Sequence, residues 1–266
     1  QRQMCIRDRM QIGQKTRREQ LMIAEQKAVE LFDETINRGY VEPGISEKDL
    51  SVKIHDLAFE MFETKQHWHK RIVRAGKNTL QPYSRKPPNR IIEDDDILFF
   101  DFGPVFEQWE ADLGRTYVIG NDPQKLRLKK DVEECWQLGK AYYDSHPEIT
   151  GAELYQYVCK LAEDRSWQFG NEHSGHLIGK FPHEKIHNEK KLNYIHPDNH
   201  LPMKANDEKD QLRDWILEIH FIDYSLGSVI KLQSSFYLVL FYVVFFPGLI
   251  SFLFWIKGVK LIGANR

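Results

Sequence analysis

Between Arg17 and Asn37 apolar residues recur at Leu21, Ala24, Ala28, Leu31 and Phe32. That three-to-four spacing puts them on one face of a helix, and Gly39 supplies the stop. After the turn signal Pro43-Gly44, Ser46-Glu47-Lys48-Asp49 resembles an N-cap sequence, with Asp49 where a capping-box Glu usually sits. Leu50, Ile54, Leu57, Ala58 and Met61 then continue a second helix. From Trp68 to Arg90 the chain is basic and Pro-rich, and it predicts short extended pieces with turns at Gly76-Lys77-Asn78 and Pro87-Pro88. The run Ile97-Leu98-Phe99-Phe100-Asp101-Phe102 reads as an apolar strand with a carboxylate near its end. Trp109 to Ile119 reads as a second strand after Gly103-Pro104. Helices are predicted over Lys125–Ser145 and Gly151–Trp167, the latter opened by the capping box Thr150-Gly151-Ala152-Glu153. Asn171 to Glu184 is Gly- and His-rich and reads as a loop or short strand, and Trp215 to Asp223 reads as a last strand.

Composition narrows the class of protein. With 41% apolar and 12% aromatic residues the chain can pack a globule, and 266 residues suffice for one large core or two modest ones. A net charge of −2, from 37 basic and 39 acidic residues, gives no field that would draw the chain to nucleic acid. Cys5, Cys135 and Cys159 match neither a disulfide framework nor a zinc knuckle, as expected of reduced thiols in a cytoplasmic protein.

The two ends differ from the middle. Residues 1–9 are polar and basic, lack the apolar stretch of a signal peptide, and read as a non-native or disordered leader before Met10. No Asp or Glu follows Asp223, and Phe236 to Ile256 carries no charge. As a helix that stretch is long enough to cross a bilayer. It would then bring membrane contact through 236–256 and anchor an otherwise cytoplasmic domain. Its Val, Phe and Tyr residues around Pro247-Gly248 equally fit a pair of buried strands, and a change of reading frame or gene assembly near Leu226 is a third reading.

Three acids lie within or beside apolar strands: Asp101 in FFDFG, Asp112 in EADLGRTY and Glu218 in WILEIHF. Burying a carboxylate costs several kcal/mol unless a cation neutralises it. For one acid an Arg such as Arg115 would serve. Three acids together with His173, His176 and His183, spaced among glycines, point instead to a divalent metal. Carboxylates with one imidazole suit Mn, Co, Fe or Zn, and two such ions clamp an attacking hydroxide and a carbonyl oxygen.

Taken together, the spacing resembles the family of methionine aminopeptidases, proline aminopeptidases and prolidases, over approximately Gln14 to Leu226. Asp101 and Asp112 stand eleven apart, and His176, Gly179 and His183 keep a His, glycine and second His pattern. The resemblance implies an α+β pita-bread fold over residues 10–226, with two helix-plus-sheet halves around a central metal site and the last strands missing or replaced by the apolar tail 227–266. It implies two divalent metals per site, with Asp101 chelating one, Asp112 bridging both, and His176 and Glu218 completing the other. His183 would hydrogen-bond the substrate carbonyl or tetrahedral intermediate, and His173 would be a further substrate contact. The substrate would be a peptide, cut at its N-terminal end or at an Xaa-Pro bond.

Two departures from the family pattern temper these expectations. The family's fifth ligand, a Glu on the last strand, has no counterpart here, since Gln233 stands near its expected place. An amide neither takes up a proton nor neutralises a metal. The chain is therefore expected to bind one metal more readily than two and to be impaired, or else to serve as a non-catalytic, membrane-tethered binding module. Many members also carry a His about 17 or 18 residues before the first Asp, where this chain has Tyr83 and Ser84. The nearest imidazoles are His67 and His69; either proton transfer to the leaving amine is reassigned, or His67 reaches in from a longer loop.

Overall fold

Thr16 opens the first helix, α1 (Arg17–Asn37), by accepting the Glu19 backbone N–H on its hydroxyl, while the Glu19 carboxylate accepts the Thr16 backbone N–H. The computed structural model describes residues 16–223, apart from 184, 187, 188 and 209. The leader 1–9, the tail 227–266 with its stretch 236–256, and Gln233 lie outside the described residues. No described helix is long and apolar enough to cross a membrane.

The second helix, α2 (Glu47–Phe62), starts as its sequence predicts. The Ser46 hydroxyl accepts the Asp49 N–H and donates to the Asp49 carboxylate at 2.7 Å. Strand β1 (Ile72–Ala75) lies antiparallel to β2 (Ile97–Phe102), which is itself antiparallel to β5 (Leu113–Val118). Along β2 burial alternates, as strand geometry requires. Leu98, Phe100 and Phe102 are fully buried in a core with Ala28, Leu31, Phe32, Leu50 and Ile54 of the two helices. The Phe32 ring meets Phe100 edge-on at 5.4 Å and Phe102 at 5.8 Å. That packing fixes one face of β2 against the helices and leaves Asp101 on the other.

The single strand expected over Trp109–Ile119 is broken in two. A tight hairpin of β3 (Val105–Phe106) and β4 (Trp109–Glu110) turns through Glu107 and Gln108, both at positive φ (51° and 78°), the turn geometry that matches strand twist. Beyond β4 the Ala111 N–H bonds back to the Pro104 carbonyl, and the ladder resumes only at Leu113. Asp112 falls in the gap, outside the ladder.

The second half repeats the plan with shorter strands. Asp122 caps α3 (Pro123–Ser145) by accepting the Gln124 and Lys125 N–H groups. The Thr150/Glu153 capping box opens α4 (Gly151–Asp164). This helix stops short of the expected Trp167, because Ser166 turns left-handed (φ 63°) and the chain enters β6 (Gln168–Phe169). β6 pairs with β9 (Phe221–Ile222), and β7 (Leu177–Ile178) pairs with β8 (Asp214–Trp215). The last strand expected over Trp215–Asp223 is thus interrupted at 216–220. Its backbone still bonds across: Ile216 and Glu218 donate to the His176 and Ser174 carbonyls, and Gly170 donates to the His220 carbonyl. Two apolar clusters underlie this half, one around Cys135, Leu161 and Trp167 and one around Leu154, Val158 and Met203.

Candidate metal centre

Three backbone devices converge on one spot. β2 presents Asp101, the gap before β5 presents Asp112, and the extended segment between β8 and β9 presents Glu218. Opposite Glu218, Gly175 holds φ +134°, and a Cβ there would lie 2.0 Å from the Ile216 carbonyl oxygen. Only glycine permits that approach. It carries the backbone of His176 against residue 216, and His176 Nε2 then lies 3.3 Å from Asp112 Oδ2 and 3.9 Å from Glu218 Oε1. The four ligands expected from spacing come together.

A fifth side chain joins them. His69 Nε2 lies 3.6 Å from Asp101 Oδ1 and 3.4 Å from Asp112 Oδ2. It is His69, and not the expected His67, that reaches the acids. His67 pairs with Pro104 and Ile72 with Asp101, so five residue steps on one side oppose three on the other, and His69 to Arg71 bulge from the ladder. Gly103 makes room, since a Cβ there would lie 2.3 Å from His69 Cδ2. His67 packs instead against the His55 and Phe102 rings at 5.4 and 6.0 Å. Among the described residues two sets of donors lie within 4.8 Å of one another: His69, Asp101 and Asp112, and Asp112, His176 and Glu218. Asp112, with only 5% of its side chain exposed, belongs to both.

The other expected residues take different places. His173 Nδ1 stands 3.7 Å from Glu218 Oε2 and accepts the Gly175 N–H. His183 Nδ1 donates to Glu110 Oε2 at 2.8 Å, and the same carboxylate accepts the backbone N–H groups of His183 and Gly179. Glu110, 1% exposed, does not stand out in the sequence; its only signal is an acid two residues before Asp112. Trp68 donates its indole N–H to the Ala111 carbonyl, and its ring stands edge-on to His69, His176 and His183 at 4.5, 5.1 and 5.6 Å. Arg115 is exposed and donates to the Gly114 carbonyl, so it does not neutralise the acids.

The electrostatics show buried acids and imidazoles acting strongly on one another. Burial, with the charge of Asp112 adding, pushes the Asp101 carboxyl up to about 7. Burial likewise pushes Glu218 up to about 8, against the pull of His176 and with Asp112 and Asp101 adding. Burial would raise Asp112 as well, but contacts with His176 and His69 hold it below the usual carboxylate range. For His69 and His176, burial favours the neutral ring, and the adjoining carboxylates outweigh it and raise both to about 9.

The donor set fits a divalent ion. The His176 Nδ1–H donates to the Leu177 carbonyl at 2.7 Å, which leaves Nε2 facing the acids. The nitrogen–oxygen separations of 3.3 to 3.6 Å exceed the roughly 2.7–2.9 Å of charge-assisted hydrogen bonds. They match the ~3.4 Å edge of a tetrahedron of donors about 2.1 Å from one ion.

The sequence model of metallopeptidase family M24 matches residues 19–208. A putative Xaa-Pro aminopeptidase of Mycoplasma pneumoniae is 26% identical over 192 residues, 69% of this chain and 53% of that protein. An Xaa-Pro dipeptidase of Lactobacillus delbrueckii subsp. lactis is 29% identical over 114 residues, 42% of this chain and 30% of that protein. The chain thus spans about half the length, or less, of these curated relatives. Among solved structures, the X-Pro aminopeptidase of Thermotoga maritima superposes with a TM-score of 0.60 at 18% identity, over 77% of this chain and 60% of that one. The fold is the α+β pita-bread fold that the spacing of acids and histidines implied. The chain belongs to metallopeptidase family M24.

Proposed function

We propose that this site hydrolyses a peptide bond at the N-terminal end of a short peptide, with Xaa-Pro substrates as the first class to test. What carries the reading is Asp112, a buried carboxylate shared by two donor sets that also hold Asp101, His176 and Glu218. Asp101, Asp112, His176 and Glu218 are the residues that would hold divalent ions such as Mn, Co, Fe or Zn. When bound, such ions supply a water acidic enough to attack at neutral pH and polarise the scissile carbonyl. His183, held through Nδ1 by the Glu110 carboxylate, is the group that meets the substrate carbonyl through Nε2; as an imidazolium, with both nitrogens donating, it steadies charge growing on that oxygen. His173, beside Glu218, is a second substrate contact. Trp68 lines the site with an apolar wall that limits water.

Turnover in this chain is proposed to be slow, because Gln233 stands where the family pattern calls for a carboxylate and no Asp or Glu follows Asp223. That same feature favours a second reading, a module that binds peptides without cutting them. Incubation of the full chain with an Xaa-Pro dipeptide decides between them. Free proline is expected to appear with Co(II) or Mn(II), to stop with a chelator, and to resume when metal is restored. Peptide binding with no release above the metal-only blank would leave only the binding module.

A further inference from the structure

His69 is built like His176. Its Nδ1–H donates to a main-chain carbonyl, that of Lys70, at 2.7 Å, as the His176 Nδ1–H does to Leu177. In each ring the tautomer is fixed by the backbone and Nε2 is left to face carboxylates. His69 Nε2 is buried and has no well-formed hydrogen bond, which is costly for a polar atom unless something else meets it. Its two neighbours, Asp101 Oδ1 at 3.6 Å and Asp112 Oδ2 at 3.4 Å, stand at the separation of donors around one ion and beyond that of a charge-assisted hydrogen bond. Two features of the chain bring the ring there: the bulge from His69 to Arg71 and the missing Cβ of Gly103, which makes room for His69 and the Trp68 indole alike.

We infer that His69 Nε2 is a metal ligand, completing with Asp101 and Asp112 a site of three protein donors beside the site of Asp112, His176 and Glu218. This rests on the metal-centre reading above and deepens it. With His69 both sites hold three protein donors and share Asp112, so the chain takes two ions without the carboxylate that Gln233 replaces. An imidazole also differs from a carboxylate in carrying no negative charge, so the His69 site binds its ion more weakly than a third carboxylate would.

Calorimetric titration of the full chain with Co(II), followed by metal analysis after gel filtration and by the visible Co(II) spectrum, tests this. The wild-type chain is expected to take two equivalents. His69→Ala is expected to keep one at near wild-type affinity, to lose the other by tenfold or more, and to change the visible spectrum. His69→Glu, which restores a donor and adds a negative charge, is expected to take two again. Two equivalents in His69→Ala, with affinities within about threefold of wild type and the same spectrum, would overturn the inference and leave the centre itself standing. A single equivalent in the wild type that His69→Ala retains would do the same. No binding by the wild type would sink the metal centre as a whole. Should His69→Ala lose its melting transition, His69→Glu carries the test: two equivalents support the ligand, and fewer than two refute it.

Discussion

Asp112→Asn is expected to abolish metal binding at both sites and to lower kcat on an Xaa-Pro dipeptide by at least about a thousandfold. The size follows from position. Asp112 Oδ2 is 3.4 Å from His69 Nε2 and 3.3 Å from His176 Nε2, and it is the one donor common to both sets among the described residues. Asparagine keeps the shape and removes the charge, and its NH2 group cannot coordinate. A catalytic metal stabilises the transition state by several kcal/mol, and each ~1.4 kcal/mol is tenfold in rate. The folded chain should survive the change, since Asp112 lies outside the β5 ladder. Two readouts check it: kcat, and the rise in melting temperature on adding Co(II), which measures binding to the native state alone. Activity within tenfold of wild type, or an unchanged metal-dependent rise, would contradict the bridging role.

His183→Ala is expected to lower kcat by about 10²–10³, the usual cost of losing one oxyanion donor, with metal content unchanged. Glu110→Gln is expected to have a smaller effect of the same kind, because Glu110 positions His183 and meets no substrate itself. An amide in its place carries no charge to support the imidazolium that donates from Nε2. The double variant should be no slower than His183→Ala alone, since two residues that act through one group are not additive. Glu110 also accepts two backbone N–H groups in a buried site, so its variant should melt lower while His183→Ala barely shifts. A double variant slower by the product of the two single effects would show that Glu110 acts on its own.

Much of the fold is legible in the sequence because local chemistry decides it. The helix over Arg17–Asn37 carries its own period and stop, and the caps at Ser46 and Thr150 lie within three residues of the helices they start. β2 is legible because its apolar run is long and β-rich. The gap holding Asp112 is not, because Glu107 and Gln108 take positive φ without the glycine or asparagine that usually signals such a turn. Pairing between β3 and β4 imposes it. The interruption near Glu218 is similarly a product of its partners at Ser174 and His176.

The site shows the same division. Joint spacing is enough to nominate Asp101, Asp112, His176, Glu218 and His183 as candidates, because it survives any detail of strand breaks. It does not separate His69 from His67, since choosing between them requires the five-against-three pairing that bulges one and buries the other. Glu110 looks like any acid on a half-exposed strand, and only the fold shows that Gly179 and His183 donate to it.

Anomalous diffraction from crystals of the full chain grown with Mn(II) tests the central claim most directly. The expected result is strong peaks within about 2.0–2.3 Å of Asp112 Oδ2, one also meeting Asp101 and one also meeting His176 Nε2 and Glu218. Crystals of the same fold with no peak among these side chains at saturating Mn(II), or with the ion held elsewhere, would contradict it.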